Sequence, residues 1–300
     1  MTARDMLREI AETTLTSISS GKITVQGYVY DLSSTIVESK LRTAYYEPDS
    51  LLSLWQSSSP AQPLVAANNT VIEFLETTTL DAARSTGVQG HKTPIGVLNF
   101  ASAEQPGGGF INGMNAQEES IARSSTLYAS LMTPTAQQFY SLHTEQPHHR
   151  GFYTHAMIYS PNVVAFRTDD GAAATPMLMD VVTSPAVHAG LVRKQPGSTA
   201  AIEVDITHTM HERMARILFL FERRAVRSLV LGSFGTGVFM NEVDVVASIW
   251  AQLLCGPTAR FARSFDYVAF AVVDRSTYER FRKAFERQVR FLFSWVRRWS

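Results

Sequence analysis

The 300-residue chain has a single cysteine, Cys255, which rules out an internal disulfide and a cysteine-rich zinc site. It has no excess of either charge, since 27 Lys and Arg balance 27 Asp and Glu. Proteins that grip nucleic acid by neutralising its backbone are usually basic, so no sequence-specific nucleic-acid partner is expected. A polyanionic ligand would have to be held locally, by backbone amides and a few side chains. No apolar run is long enough to span a membrane, and Met1-Thr2-Ala3-Arg4-Asp5 places an acid where a signal peptide needs apolar residues. The expected location is intracellular, cytoplasmic or nuclear. There is no fixed-period repeat, no Gly-Lys-Ser/Thr ending of a P-loop and no G-x-G-x-x-G. No linker is visible either. With 45% hydrophobic and 18% charged residues, the chain reads as one domain over 1–300 and is expected to be a monomer.

The apolar spacing predicts helices over 3–19, 79–85, 116–132, 207–224, 242–254 and 276–299. It predicts strands over 22–30, 71–74, 94–100, 163–166, 177–183, 228–231 and 267–273, with a turn at Asp169-Asp170-Gly171. Residues 31–62, rich in serine and broken by Pro48 and Pro60, with Pro63 just beyond, read as irregular. Residues 134–156 show no clear period. Strands alternate with helices through the second half, which indicates an α/β fold around a largely covered mixed sheet.

What the chain does have is Pro106-Gly107-Gly108-Gly109-Phe110, followed by Gln117-Glu118-Glu119. Three glycines in a row cost conformational entropy, and are kept where φ is positive or where something comes close to the backbone. A phosphate or sugar is one such neighbour. Asn115 suits an N-cap with Glu118 reaching back as its capping-box partner, whereas Glu119 has no such role. Successive helical residues point about 100° apart, so the two acids serve different purposes. A solvated acid pair at a helix start is the plain alternative.

A second glycine loop, Gly232-Ser233-Phe234-Gly235-Thr236-Gly237-Val238-Phe239, lies between a predicted strand and helix. Its amides suit a diphosphate. Asn241 suits a cap for the next helix. Phe234 and Phe239 fit either stacking on a base or ribose or packing in the core. Thr183-Ser184-Pro185 follows a strand, at the end where open α/β sheets bind ligands.

Taken in order, Leu98-Asn99-Phe100-Ala101, Pro106 to Phe110, Gln117-Glu118-Glu119, Ser124 to Tyr128, Val182 to Ala186 and Leu231 to Phe239 resemble the microbial-type poly(ADP-ribose) glycohydrolases. The resemblance implies a macrodomain-like three-layer α/β/α mixed sheet, with a core of about 65–275, an N-terminal extension over 1–64 and a C-terminal helix over 276–300. It implies hydrolysis of ribose–ribose bonds in poly(ADP-ribose), polymer or ADP-ribosylated protein, with ADP-ribose as product. No cofactor and no metal are implied. Glu119 is then the general acid/base, and Glu118 holds a ribose. The remaining implied ligand contacts are Asn99, Phe100, Ala101, Gly107, Gly108, Gly109, Phe110, Gln117, Thr183, Ser184, Pro185, Gly232, Phe234, Gly235, Thr236, Gly237, Val238 and Phe239. The later glycine loop holds the diphosphate and Phe239 packs by the terminal ribose. An acid/base carboxyl needs a raised pKa, which burial promotes and a helix N-terminus opposes. Two rival readings share these motifs: a reader that binds ADP-ribose without turnover, and a hydrolase of mono-ADP-ribosyl adducts. The chain departs from the family pattern at Gln105, at Ala122, where cysteine is common, and at His188, where asparagine is usual.

His208, His211 and Glu212 read as a helix surface rather than a metal site, and His148, His149 and His155 as loop residues. Cys255 reads as a small buried hydrophobe. In the last helix Phe281, Phe285, Val289, Leu292, Val296 and Trp299 form a stripe, with Phe291, Phe293 and Trp295 off it. Residues 275–300 hold eight basic and two acidic side chains, a local charge of +6 (8 − 2). A docked helix with a solvated arginine face accounts for this, and the extra aromatics also suit a partner, membrane-surface or polyanion contact.

Overall fold

The computed structural model describes residues 2–58, 70–88, 94–145, 150–197 and 199–296, without the side chains of 88, 295 and 296. Pro60, Pro63, His148, His149 and Trp299, and the side chains of Trp295 and Val296, therefore lie outside the described residues. The chain is mixed α/β, with sheet flanked by helices. Its helices are α1 (Ala3–Ser20), α2 (Ser33–Arg42), α3 (Thr79–Val88), α4 (Gln117–Ser124), α5 (Leu127–Leu131), α6 (Pro134–Glu145), α7 (Ala189–Val192), α8 (Thr199–Arg223), α9 (Val243–Leu254) and α10 (Arg275–Val296). Its strands are β1 (Lys22–Val25), β2 (Tyr28–Asp31), β3 (Ala44–Tyr46), β4 (Val71–Leu75), β5 (Ile95–Phe100), β6 (Met157–Arg167), β7 (Ala173–Ser184), β8 (Ser228–Gly232) and β9 (Tyr267–Ala271). The chain folds into two compact units. One comprises Met1–Glu47, Thr78–Pro147 and Ala156–Pro185; the other comprises Pro48–Thr77, His148–His155 and Ala186–Ser300.

In the first unit four strands run in the order β3-β6-β7-β5. β6 is antiparallel to both β3 and β7, and β5 is parallel to β7. That last register sets Asn99 beside Thr183 and Phe100 beside Ser184. β5 is buried along nearly its whole length, as its unbroken apolar run predicts. α1 starts on a reciprocal cap, with Thr2 Oγ1 accepting from Asp5 N at 3.2 Å and Asp5 Oδ2 accepting from Thr2 N at 2.8 Å. It ends at Gly21, in the left-handed region at φ 67°.

Three expectations fail in this unit. The strand predicted over 22–30 is a hairpin, β1 and β2, which reverses at Gln26 and Gly27 with φ of 50° and 84°. Two positive φ values in succession mark the tight turn that fits strand twist. The serine-rich stretch read as irregular contains α2, because Ile36 and Ser39 are buried and Ser39 Oγ donates to Pro161 O at 2.6 Å. The helix predicted over 116–132 is two helices. It breaks at Ser125, which is extended and bridges to Ala165. Residues 134–145, without a clear period, are helical (α6) and bury His143.

In the second unit three parallel strands run β8-β9-β4. α10 packs on α9, and Phe281 and Phe285 are buried against Phe74 and Phe270. Glu222, also buried, is paired by Arg260, with Nη1 and Nη2 donating at 3.0 and 2.9 Å. A buried carboxylate persists only with such partners.

Candidate active site

The first unit gathers its polar side chains at the carboxyl end of β5. Gly107 and Gly108 have φ of 69° and 58°. A Cβ on Gly108 would lie 2.3 Å from Glu119 Oε1 and 3.2 Å from Glu118 Oε2. A Cβ on Gly109 would lie 2.4 Å from Met114 Cγ. The close approach expected of this backbone is thus, in the structure, an approach to the protein's own side chains. It makes both carboxyl groups converge on one turn.

The roles expected for the two acids at the start of α4 are exchanged. Ala116, not Asn115, is the N-cap, and Glu119, not Glu118, reaches back to it. Glu119 Oε2 accepts from Ala116 N at 3.1 Å and Oε1 from Gly109 N at 2.9 Å. The helix begins one residue later than the sequence suggests. That moves the third helical position from 118 to 119. Glu119 remains half-exposed. Glu118 is 3% exposed; its Oε2 accepts from Ser102 N at 2.6 Å and its Oε1 from Asn99 Nδ2 at 3.2 Å. Burial pushes the Glu118 carboxyl up to about 8, against the opposing pull of those donors, and Glu119 adds to the rise.

Gln117 latches the helix to β5, since its Oε1 accepts from Phe100 N and its Nε2 donates to Leu98 O, both at 2.8 Å. Asn99 Nδ2 also donates to Thr183 Oγ1 at 3.3 Å, joining β5 to β7. Ala101 N donates to Ser184 O at 3.1 Å, which places the Ala101, Ser184 and Pro185 backbone at the same strand ends. Phe110 is fully buried and packs edge-on against Tyr128, so its ring serves the core.

Sequence reasoning missed two participants here. Ser102 contributes through its backbone, and nothing in a serine's identity announces that. Arg123 is 1% exposed, with Nη1 donating to Met114 O and Nη2 to Asn115 Oδ1, each at 2.7 Å. Its position four residues after Glu119 was the available signal.

The glycine loop of the second unit is built within that unit. Gly235 has φ 73°, and a Cβ there would lie 2.3 Å from Ala186 Cβ. A Cβ on Gly237 would meet nothing within 4 Å. Gly237 and Val238 are exposed, and Gly232 ends buried β8. Thr236 donates through Oγ1 to Ser233 O at 2.9 Å. Phe234 is fully buried, whereas Phe239 is half-buried and stacks on His188 with centroids 4.6 Å apart. Asn241 does not cap α9; Glu242 stands there. Asn241 Nδ2 instead donates to Val187 O at 2.7 Å and Gly235 O at 2.9 Å, tying the loop down.

The remaining histidines have structural settings. His208 is exposed and His211 rests 5.9 Å from Trp55. Among the described residues no group of three or more metal-ligating side chains occurs. His155 is held down to about 2 by burial and by the nearby Arg213 and Arg216 cations. Cys255 is the C-cap of α9, half-buried, and burial pushes its thiol up to about 11. No described helix is long and apolar enough to cross a membrane.

A mixed α/β fold with paired acids on a glycine turn at a strand end places the candidate site where α/β proteins commonly bind ligands. The comparisons name the family. Residues 11–168 match the family model "Microbial-type PARG, catalytic domain". The poly(ADP-ribose) glycohydrolase of Thermomonospora curvata is 36% identical, covering 94% of this chain and 98% of its own, with a TM-score of 0.82. The same enzyme bound to the inhibitor ADP-HPD superposes with a TM-score of 0.81 at the same identity and coverage. The Deinococcus radiodurans enzyme in complex with ADP-ribose is 30% identical, covers 90% of this chain and 100% of its own, and has a TM-score of 0.73. No curated protein matches the chain. The chain belongs to the microbial-type PARG family and has its macrodomain-like fold.

Proposed function

We propose that this chain hydrolyses the ribose–ribose O-glycosidic bonds of poly(ADP-ribose) and releases ADP-ribose, with Glu119 as general acid/base. The observation that carries this reading is the convergence of two carboxyls on Gly108, of which only Glu119 is half-exposed. The Thermomonospora and Deinococcus relatives, which hold an inhibitor and ADP-ribose respectively, support the substrate class. In the proposed step Glu119 gives a proton to the ribose oxygen that leaves the anomeric carbon. It then takes one from the water that adds there, so the carboxyl ends as it began. Glu118, held by Ser102 and Asn99, fixes a ribose hydroxyl. An ordinary glycosidase pair uses a second carboxylate to offset the positive charge on the sugar. Here the ligand's own diphosphate does part of that work. The contacts assigned in the first unit offer mainly backbone, from Ala101 and from Gly107 to Gly109.

The test is to incubate purified protein with polymer and, separately, with mono-ADP-ribosylated protein, and to separate the products by size. Wild type is expected to release ADP-ribose from polymer. Glu119→Gln is expected to bind ADP-ribose as wild type does while losing at least about 100-fold in rate, the usual contribution of a positioned acid/base. An active Glu119→Gln would sink the mechanism. Tight binding by wild type with no cleavage would make the chain a reader.

A further inference from the structure

In the first unit the segment between the glycine turn and α4, residues 109–116, closes on a single carboxylate. Gly109 N and Ala116 N, at its two ends, both donate to Glu119. Within it Gly109 O accepts from Asn112 N at 2.9 Å and from Met114 N at 3.1 Å. Two of its carbonyls meet a guanidinium. Asn112 O accepts from Arg4 Nε at 2.9 Å, and Met114 O accepts from Arg123 Nη1 at 2.7 Å. Arg123 Nη2 also donates to Asn115 Oδ1 at 2.7 Å. Charged donors make the stronger hydrogen bonds. Both arginines reach the loop from fixed places. Arg123 is 1% exposed in α4, and Arg4 stands in the first turn of α1. Arg4, Ala11 and Thr14 are seven and three residues apart, so they share one face of α1. Gly113 has φ 72°, and a Cβ there would lie 2.5 Å from Arg4 O, so the start of α1 rests directly on the loop backbone. Ala11 is buried with Phe110 and Ala122. Thr14 Oγ1 donates to Arg123 O at 2.6 Å, which ties the helix carrying one arginine to the helix carrying the other.

We infer that Arg4 and Arg123 are positioning residues for Glu119, and that they act by fixing the loop whose two end amides fix its carboxylate. This rests on the functional reading above. The printed partners of both guanidinium groups are loop oxygens, not Glu119 itself. A carboxylate held by two amides is placed only as well as those amides are, and a proton transfer needs its donor within hydrogen-bond reach. α1 thus does more than cover the core. Through Arg4 and Thr14 it completes the frame around the reacting acid.

Arg4 and Asn115 are both exposed, so each arm can be cut without opening the core. Arg4→Met keeps the stem and loses the donor; Asn115→Ala removes one of the two bonds of Arg123. A misplacement of about 1 Å costs up to about 100-fold, so Arg4→Met should lower kcat for polymer by about tenfold, with ADP-ribose affinity near wild type. Arg4→Lys keeps a cationic donor and should recover most of the rate. In a Glu119→Gln background Arg4→Met should lower the residual rate no further, because residues that act as a unit are not additive. Amide exchange at Gly109 and Ala116, followed by NMR, should quicken in Arg4→Met and Asn115→Ala, while the amides of β5 keep their wild-type rates. Wild-type kcat and wild-type exchange in these two variants would overturn the inference, as would a rate loss that persists in the Glu119→Gln background. Wild type failing to cleave polymer would overturn the functional reading instead. The exchange comparison would then still decide whether the arginines hold the amides that meet Glu119.

Discussion

At the scale of single residues, the two acids are told apart by where their oxygens go. Glu118 is buried and its carboxyl is raised to about 8, whereas the unfolded chain titrates it near the ordinary glutamate value. Between about 4.5 and about 8 the folded state thus binds one more proton than the unfolded state. From this group, stability should fall as pH rises through that window, with a slope of at most about 1.4 kcal/mol per pH unit. Chemical denaturation at several pH values checks this. Glu118→Gln, neutral at every pH, should flatten the profile, and an unchanged slope would place the raised pKa elsewhere.

Gly108 is the second residue on which the site depends. Alanine there would carry a left-handed backbone, at about 1–2 kcal/mol. Its Cβ would also press on Glu119 Oε1 at 2.3 Å. The oxygen is the far end of a side chain and can move, so the protein should still fold. The moved carboxyl no longer sits where the reaction needs it, and a shift of about 1 Å can cost about 100-fold in rate. Gly108→Ala is therefore expected to lose far more activity than stability, measured by polymer cleavage beside thermal melting. The glycines and the acid pair were legible in the sequence because both are chemically conspicuous. The exchange of capping roles was not, because it turns on one residue of helix register, which only the position of Gly109 N and Ala116 N settles.

At the scale of elements, legibility followed how far local pattern and packing agreed. β5 and α9 have apolar patterns that match their burial, and their bounds, like those of α1, were read to within a residue or two. α2 was illegible because serine is read as a loop former. What holds the helix is tertiary: Ser39 Oγ donates to Pro161 O and shares a 2.9 Å hydrogen bond with Ser130 Oγ. The break between α4 and α5 was hidden because Ile121 and Tyr128, seven apart, keep helical spacing across an extended Ser125. α10 shows both cases. Phe281 and Phe285 of its stripe are buried, while Phe291 and Phe293 remain 55% and 49% exposed. Truncating Phe281, fully buried, should cost about 3–5 kcal/mol. The double change Phe291→Ser and Phe293→Ser should stay within about 1 kcal/mol of wild type. Urea unfolding of the two variants checks both figures, and a large loss from the double change would mean that this end of the helix is part of the core.

At the scale of the whole molecule, the zero net charge acquires a meaning beside a polyanionic substrate. A protein that wraps a polyphosphate with many cations gains much of its affinity from counterion release, and loses about 10³–10⁵ of it between about 50 and 200 mM salt. Here the conspicuous arginines are already engaged. Arg260 pairs with Glu222, Arg193 with Glu203, Arg227 with Asp266 and Arg280 with Glu242 and Asp244. The proposed contacts are instead glycine amides and strand-end hydroxyls, which release few counterions. Binding of poly(ADP-ribose) by the Glu119→Gln variant should therefore weaken by no more than about tenfold over the same salt range, the slope expected of one or two charge contacts. Calorimetric titration at four salt concentrations measures that slope directly. A loss of about 10³ or more would mean that cations, not backbone, hold the ligand. It would turn attention to the basic end of α10, where Arg287 and Arg290 accompany the exposed phenylalanines.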